Sequence, residues 1–297
     1  MLFKVKHYIS ICLPLICLLL LIGNSHTAIS GAKNGLSLWA NVIIPTLLPF
    51  ILLTNSLLSG QLLPGLVNHP VLSHFKPCIW LCVIIGFLCG YPMGGKFVND
   101  LYTGGFLDRR LAKILLVLCN NASPMFVIGY VLHYGLTDSI PPCIVFLLLY
   151  IPNILLFSIR YLYYKKYASK SADFHMQEHP NTFSDIIKKS IESVMIIGVY
   201  IMLFSILTSL LKGFVNQYTL LPIASLEITV GISLLHTQMF TGPIQTTYIL
   251  ALTAFGGFSA IAQTRSVAPA LEDAFKSYTI WKLFLGLCTG LLSYICL

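Results

Sequence analysis

The stretch GYPMGGKF, from Gly90 to Phe97, fits G-x-x-x-x-G-K, most of a phosphate-cradling loop. Such a loop follows a buried strand, and it needs Ser or Thr after the lysine to hold magnesium. Here Phe97 follows the lysine, and the preceding run 78–88 is apolar throughout. The glycines then serve another purpose, the close approach of backbone to backbone or to a ligand. Pro92 ends one helical arm. The next helix starts near Lys96, with unsatisfied N–H groups and a positive dipole end. Gly90, Tyr91, Pro92, Gly94 and Lys96 are therefore candidates for binding an anionic group. The plainer reading of Lys96 is a boundary lysine that reaches up to water.

Asn120 and Asn121 fall inside the apolar run 111–134 and are followed by Ser123 and Pro124. Adjacent amides in a spanning segment are costly without partners. Pro124 supplies no N–H, so the helix is expected to break there and release carbonyls for a ligand or a cation. Hydrogen bonding between helices is the plainer role. Glu227, in Glu227-Ile-Thr229-Val-Gly231, lies in an otherwise apolar segment and is a candidate, with Thr229, for a coupling proton or sodium ion. Gly256, Gly257, Ser259 and Gln263 form a glycine tip followed by one polar helical face. No Ser-His-Asp, Cys-His or paired-carboxylate set stands out, which favours a carrier over an enzyme. Cys78 and Cys82 extend a stripe with His74, but a metal centre needs more converging donors. No metal or cofactor is expected, and no disulfide framework follows from the nine scattered cysteines.

Composition says where these residues sit. The chain has 297 residues, 57% hydrophobic and only 9% charged, with mean hydropathy +0.84. A soluble domain carries roughly 25% charge, so this chain cannot cover itself with a polar surface. It reads as a multi-pass membrane protein, and the lipid bilayer is its first partner. The net charge of +8 fits basic cytoplasmic loops better than a nucleic-acid partner.

Apolar runs at 9–28, 37–59, 111–134, 141–163, 188–211 and 278–297 are long enough to span. The first, behind Lys4 and Lys6, resembles a signal peptide and is expected to stay as an uncleaved helix. Residues 77–95 and 243–263 are apolar but tipped with glycine, and they predict two re-entrant hairpins. The sequence thus predicts an all-α, polytopic helical bundle with an inverted repeat. Its parts are an N-terminal transmembrane helix (1–34), a first repeat (35–163), a cytoplasmic linker (164–187) and a second repeat (188–297). The first repeat holds a gate helix, a hairpin at 77–104, a broken helix at 111–134 and a helix at 141–163. The second holds a gate helix, a segment at 219–235, a hairpin at 243–265 and a helix at 278–297. Phe50 and Thr54 align with Phe204 and Thr208. Phe87 aligns with Phe255, and the run 113–119 with 282–288. Repeats with interrupted helices at matching places point to transporters. With 62–75 and 219–235 lying at membrane surfaces, Lys96, Arg109, Arg110 and Lys113 fall in the cytoplasm. Lys33, Lys212, Arg265, Lys276 and Lys282 then fall outside. If 219–235 spans instead, Arg265, Lys276 and Lys282 move inside.

GYPMGGK, the stretch CNNASPMFVIGYV from Cys119 to Val131, EITVG at 227–231 and FGGFSAIAQ at 255–263 together resemble the sporulation integral membrane protein YlbJ-like family. That family belongs to the nucleoside-recognition Gate group, related to concentrative nucleoside transporters. The likeness covers residues 35–297. It implies an inverted-repeat transporter core with two hairpins and, for the sporulation branch, movement of dipicolinate across the membrane around the forespore. The chain departs from the family pattern at Cys89 (Ser in the pattern), Gly95 (Ala) and Ser123 (Gly), all close to the candidate site. The expected function is a carrier of a small organic anion in a bacterial membrane. A nucleoside or nucleobase carrier and a non-transporting assembly factor are the alternatives. The expected partners are a small-molecule substrate and further copies of the chain.

Overall fold

The computed structural model describes residues 19–59, 77–137, 140–167, 182–237 and 242–297, and all regular structure among them is helical. A long rod opens it: α1 (Ser25–Leu38) passes through a π-helical turn, Trp39–Ile43, into α2 (Ile44–Ser59). Next come α3 (Pro77–Cys89), α4 (Met93–Thr103) and α5 (Arg109–Leu118). Helix α6 starts as Pro124–Phe126 and continues in π-helical form over Val127–Gly135. Two long helices follow, α7 (Pro142–Tyr167) and α8 (Phe183–Leu211). The chain ends with α9 (Leu220–Ala224), α10 (Ile228–Thr237), α11 (Pro243–Phe255), α12 (Gly257–Val267), a 3₁₀ segment Pro269–Ala274, and α13 (Phe275–Cys296).

Local chemistry sets several boundaries. The Asp108 carboxylate accepts from Arg110 N (2.9 Å) and Leu111 N (3.0 Å), capping α5. Ser123 caps α6 through Phe126 N, and Pro124 occupies the first turn, where a missing N–H costs nothing. Thr182 and Asp185 form a reciprocal capping box on α8. Gly256 ends α11 in the left-handed region, at φ 89°, which favours a residue without Cβ.

Among the described residues, four helical stretches are long and apolar enough to cross a membrane: Pro142–Lys166, Phe183–Phe214, Pro243–Val267 and Pro269–Cys296. Their outer faces carry exposed apolar side chains, among them Leu155 and Ile159, Leu203 and Leu207, and Leu287 and Leu291. Water would penalise so continuous an apolar surface, whereas lipid does not.

Pairwise contacts fix the directions. Trp39 Nε1 donates to Val194 O (2.9 Å), Asn55 Nδ2 donates to Ser190 Oγ (2.9 Å), and Gly31 faces Ser209. The α1–α2 rod and α8 therefore run antiparallel. At one end of the bundle Asp273 pairs with Arg109 (3.0 Å) and with Lys113, and Ala270 N donates to Asn99 Oδ1 (3.0 Å). Tyr164 donates to Asp108 at the same end. So α5 begins where α12 ends, and α7 ends where α13 begins, with Arg160 5.1 Å from the Trp281 ring centre.

Several expectations change here. The segment 219–235 does not lie at a surface. Leu220, Ile223, Ile228, Ile232 and Leu235 are buried in an apolar cluster with Val127, Val131, Ile249 and Leu250. Its two short helices fold back on each other, so closely that a Cβ on Gly231 would sit 2.1 Å from Ala224 O. The segment 243–265 is not a folded-back hairpin. Its arms part, with α11 along α13 and α12 against α4 and α8, and they form one bent stretch of spanning length. Both runs are apolar with small residues, and sequence periodicity does not tell which of them turns back. Arg265 does not lie on the far side from Arg109, because the Asp273 ion pairs bring 109, 113 and 273 together and Glu272 holds Arg265 beside them. The aligned runs 113–119 and 282–288 sit in unlike settings: α5 stops at a break, whereas α13 is uninterrupted. The rod α1–α2 crosses the expected boundary at residue 34, and α7 continues to Tyr167, into the expected linker. The expected surface segment 62–75, His74, the first part of the N-terminal helix and residues 168–181 lie outside the described residues.

Shared sidedness of residues 109 and 273 is directly testable. In a variant with Cys143 and Cys296 changed to serine, Arg109→Cys and Asp273→Cys are expected to react with a membrane-impermeant maleimide from the same face. Labelling from opposite faces would contradict the ion pairs.

Candidate functional site

Four interruptions of helical backbone meet at the centre of the bundle. Two belong to the first half, Gly90–Pro92 between α3 and α4 and Cys119–Ser123 between α5 and α6. Two belong to the second, Ser225–Glu227 between α9 and α10 and Gly256 between α11 and α12. They touch in pairs. Tyr91 N donates to Asn121 O (2.8 Å) in the first half. Phe258 N donates to Ser225 O (2.8 Å) and Ser259 N to Leu226 O (2.9 Å) in the second. The Tyr91 ring lies against Gly256, joining the pairs.

The closeness of the first pair follows from glycine. A Cβ on Gly94 would lie 1.7 Å from Cys119 O, and one on Gly86 2.3 Å from the same atom. Gly86, Gly90 and Gly94, spaced by four, make the groove that receives the Cys119–Ser123 strand of backbone.

That break releases carbonyls, and side chains from α7, from α13 and from the break itself take them. Asn153 Nδ2 donates to Leu118 O (2.9 Å), and so does Asn121 Nδ2. Tyr150 Oη donates to Ala122 O (2.7 Å). Lys282 Nζ donates to Asn120 O (3.1 Å) and to Asn121 Oδ1 (3.0 Å). Asn120 is fully buried. It accepts from Gly95 N (3.2 Å) and donates to Thr264 Oγ1 (2.8 Å) and to Tyr278 Oη. The expectation that these carbonyls stand ready for a cation is thus corrected, since the protein already satisfies them.

The other expected site residues divide. Glu227 is 3% exposed. Its Oε2 accepts from Val230 N (2.8 Å) and from the Thr229 hydroxyl, capping α10 where a negative charge suits the helix dipole. Ser259 and Gln263 are buried and bonded to each other (2.8 Å), and Gly257 packs on Ser225 O. Gly90, Tyr91, Pro92, Gly94, Asn120, Asn121, Glu227, Gly256, Gly257 and Ser259 are brought to the junction. Lys96 is not the unspent cation that its position in GYPMGGKF suggests. Its Nζ lies 2.6 Å from Asp100 Oδ2 and 3.0 Å from Asn55 Oδ1. The Asp100 carboxylate, one turn later, neutralises it.

Sequence reasoning missed Lys282, which is 1% exposed. Among the described residues it has no carboxylate partner. Its signal was present, an ionisable residue inside a spanning run. It stands near the start of that run, where a lysine ordinarily reaches water. Thr264, Tyr278 and Tyr150 were also missed, and nothing local marks them.

Long apolar helices, a lipid-facing surface and a buried polar junction define an integral, multi-pass membrane protein. The chain is similar to the sporulation integral membrane protein YlbJ of Bacillus subtilis (strain 168), a distant relative with 23% identity over 312 aligned positions, covering 89% of this chain and 76% of the relative. No family model matches the chain, and no solved structure matches it.

Proposed function

We propose that the protein is a membrane carrier for a small organic anion, with dipicolinate as the leading candidate, acting in spore formation. One observation carries this reading: two pairs of helix breaks, one pair from each half, meet at a single buried polar junction. Interrupted helices at membrane depth are tolerated where they line a binding cavity or pack on protein, and in carriers they mark the site. We read the halves as an inverted repeat in which α1–α2 corresponds to α8, α3–α4 to α9–α10, α5–α6 to α11–α12, and α7 to α13. The opposite directions of these elements and the matching order of their breaks support that pairing. It makes α3–α4 and α9–α10 the re-entrant hairpins, tipped by Tyr91 and by Glu227. The basic end with Arg109, Lys113 and Arg265 is then cytoplasmic. Glu227 is the candidate for a coupling proton or sodium ion.

The likeness to a sporulation membrane protein supports the setting, and a buried lysine with no carboxylate partner among the described residues supports the sign of the substrate. Uptake into proteoliposomes tests the reading. Labelled dipicolinate is expected to enter vesicles carrying the protein at least tenfold faster than empty ones, with uridine slower. Faster uridine uptake would transfer the reading to nucleosides, and no uptake of either by folded protein would count against a carrier.

A further inference from the structure

Two donors at the junction remain unspent. The Lys282 ammonium has three N–H groups and two acceptors, Asn120 O and Asn121 Oδ1. Among the described residues no ion pair reaches it, and the residue is 1% exposed. The second is Tyr91 Oη, a buried hydroxyl with no hydrogen-bond partner. The two residues meet at Asn121 through different atoms: the Tyr91 backbone N bonds its carbonyl, Lys282 Nζ bonds its side-chain oxygen, and the Tyr91 ring lies against Gly256. Tyr91 also has Tyr278, one turn before Lys282, within electrostatic reach, along with Tyr150 and Glu227. An uncompensated buried charge and an orphaned buried hydroxyl are each unfavourable alone. Both deficits are removed by one ligand atom type, an anionic oxygen. Glu227, the carboxylate of this region, is already committed to the N-terminus of α10.

Resting on the carrier reading above, we infer that Lys282 and Tyr91 bind one carboxylate of the transported anion, the ammonium supplying charge and the phenol a directed hydrogen bond. Neither Lys96 nor the start of α4 performs this task.

The test is binding of pyridine-2,6-dicarboxylate, benzoate and succinate to the detergent-purified full chain, by calorimetry and by ligand-induced thermal shift. Lys282→Met is expected to weaken the tightest of the three about hundredfold, as removal of one partner of a desolvated charge pair does. Lys282→Arg is expected to retain part of the affinity, because it keeps the charge. Tyr91→Phe is expected to weaken binding about tenfold. Its melting temperature without ligand should stay unchanged or rise, since the hydroxyl it loses has no partner in the protein. That combination separates a ligand contact from a structural role even if Lys282→Met folds poorly. Unchanged anion affinity in Tyr91→Phe and Lys282→Arg overturns the inference, and so does absence of binding of all three anions to the wild type. If the wild type carries uridine but no anion, the inference fails while the carrier reading survives. If it carries nothing, the carrier reading fails as well.

Discussion

Replacing Gly94 by alanine is expected to cost about 3 kcal/mol or more of stability and to abolish transport. The added Cβ would fall 1.7 Å from Cys119 O, where ordinary contact begins at 3.4 Å. Either the Tyr91 tip or the Cys119–Ser123 break must then move by more than an ångström. Neither can do so cheaply. The break is held by Asn120 through Gly95, Thr264 and Tyr278, by Lys282 from α13, and by Tyr150 and Asn153 from α7. Cores transmit such strain instead of absorbing it. Thermal unfolding in detergent, with uptake measured in parallel, checks this. Gly129→Ala is the control: nothing lies within 4 Å of its Cβ position, so it should be neutral or slightly stabilising. Equal melting temperatures for Gly94→Ala and wild type would mean that the two breaks do not pack as described.

Asn120→Ala is expected to cost about 2–4 kcal/mol and most of the transport rate. An average interhelical hydrogen bond in a membrane protein contributes only about 0.6 kcal/mol. Asn120 differs from the average because one wholly buried amide serves α4, α12 and α13 together. Its removal leaves Gly95 N, Thr264 Oγ1 and Tyr278 Oη to find other partners, at about 1–3 kcal/mol for any that fail. Asn24→Ala, whose amide bonds Leu20 O on an exposed surface, should stay within about 0.5 kcal/mol. A cost for Asn120→Ala no larger than that of Asn24→Ala would remove Asn120 as the link between the halves.

The readable part of this molecule was the part written locally. Low charge and long apolar runs announce the membrane. Gly90, Pro92, Asn120, Asn121 and Pro124 mark backbone interruptions, because glycine, proline and paired amides act on their own turn of helix. The unreadable part depends on contacts between distant segments. Whether 220–237 or 243–267 folds back is decided by packing: Gly231 on Ala224 in one, Gly256 beside Tyr91 in the other. Lys96 and Lys282 are both lysines near a segment boundary, and their sequence neighbourhoods misdirect. Lys96 has a carboxylate one turn away, Asp100, that spends its charge. Lys282 has partners 161 and 162 residues away, in a break that no window around position 282 can show. The tie of Arg109 and Lys113 to Asp273 is equally non-local, and it puts Arg265 beside Arg109, as the alternative with 219–235 spanning expects.

Carriage of an organic anion through the junction of the four breaks is tested most directly by counterflow. Proteoliposomes are preloaded with unlabelled dipicolinate and diluted into a trace of labelled dipicolinate, and the label inside is followed with time. A carrier that alternates around one site accumulates label transiently above its outside concentration. The expected result is such an overshoot with the wild type and its loss with Lys282→Met. A folded wild-type protein that shows no overshoot for dipicolinate, for other small organic anions or for uridine would contradict the carrier assignment.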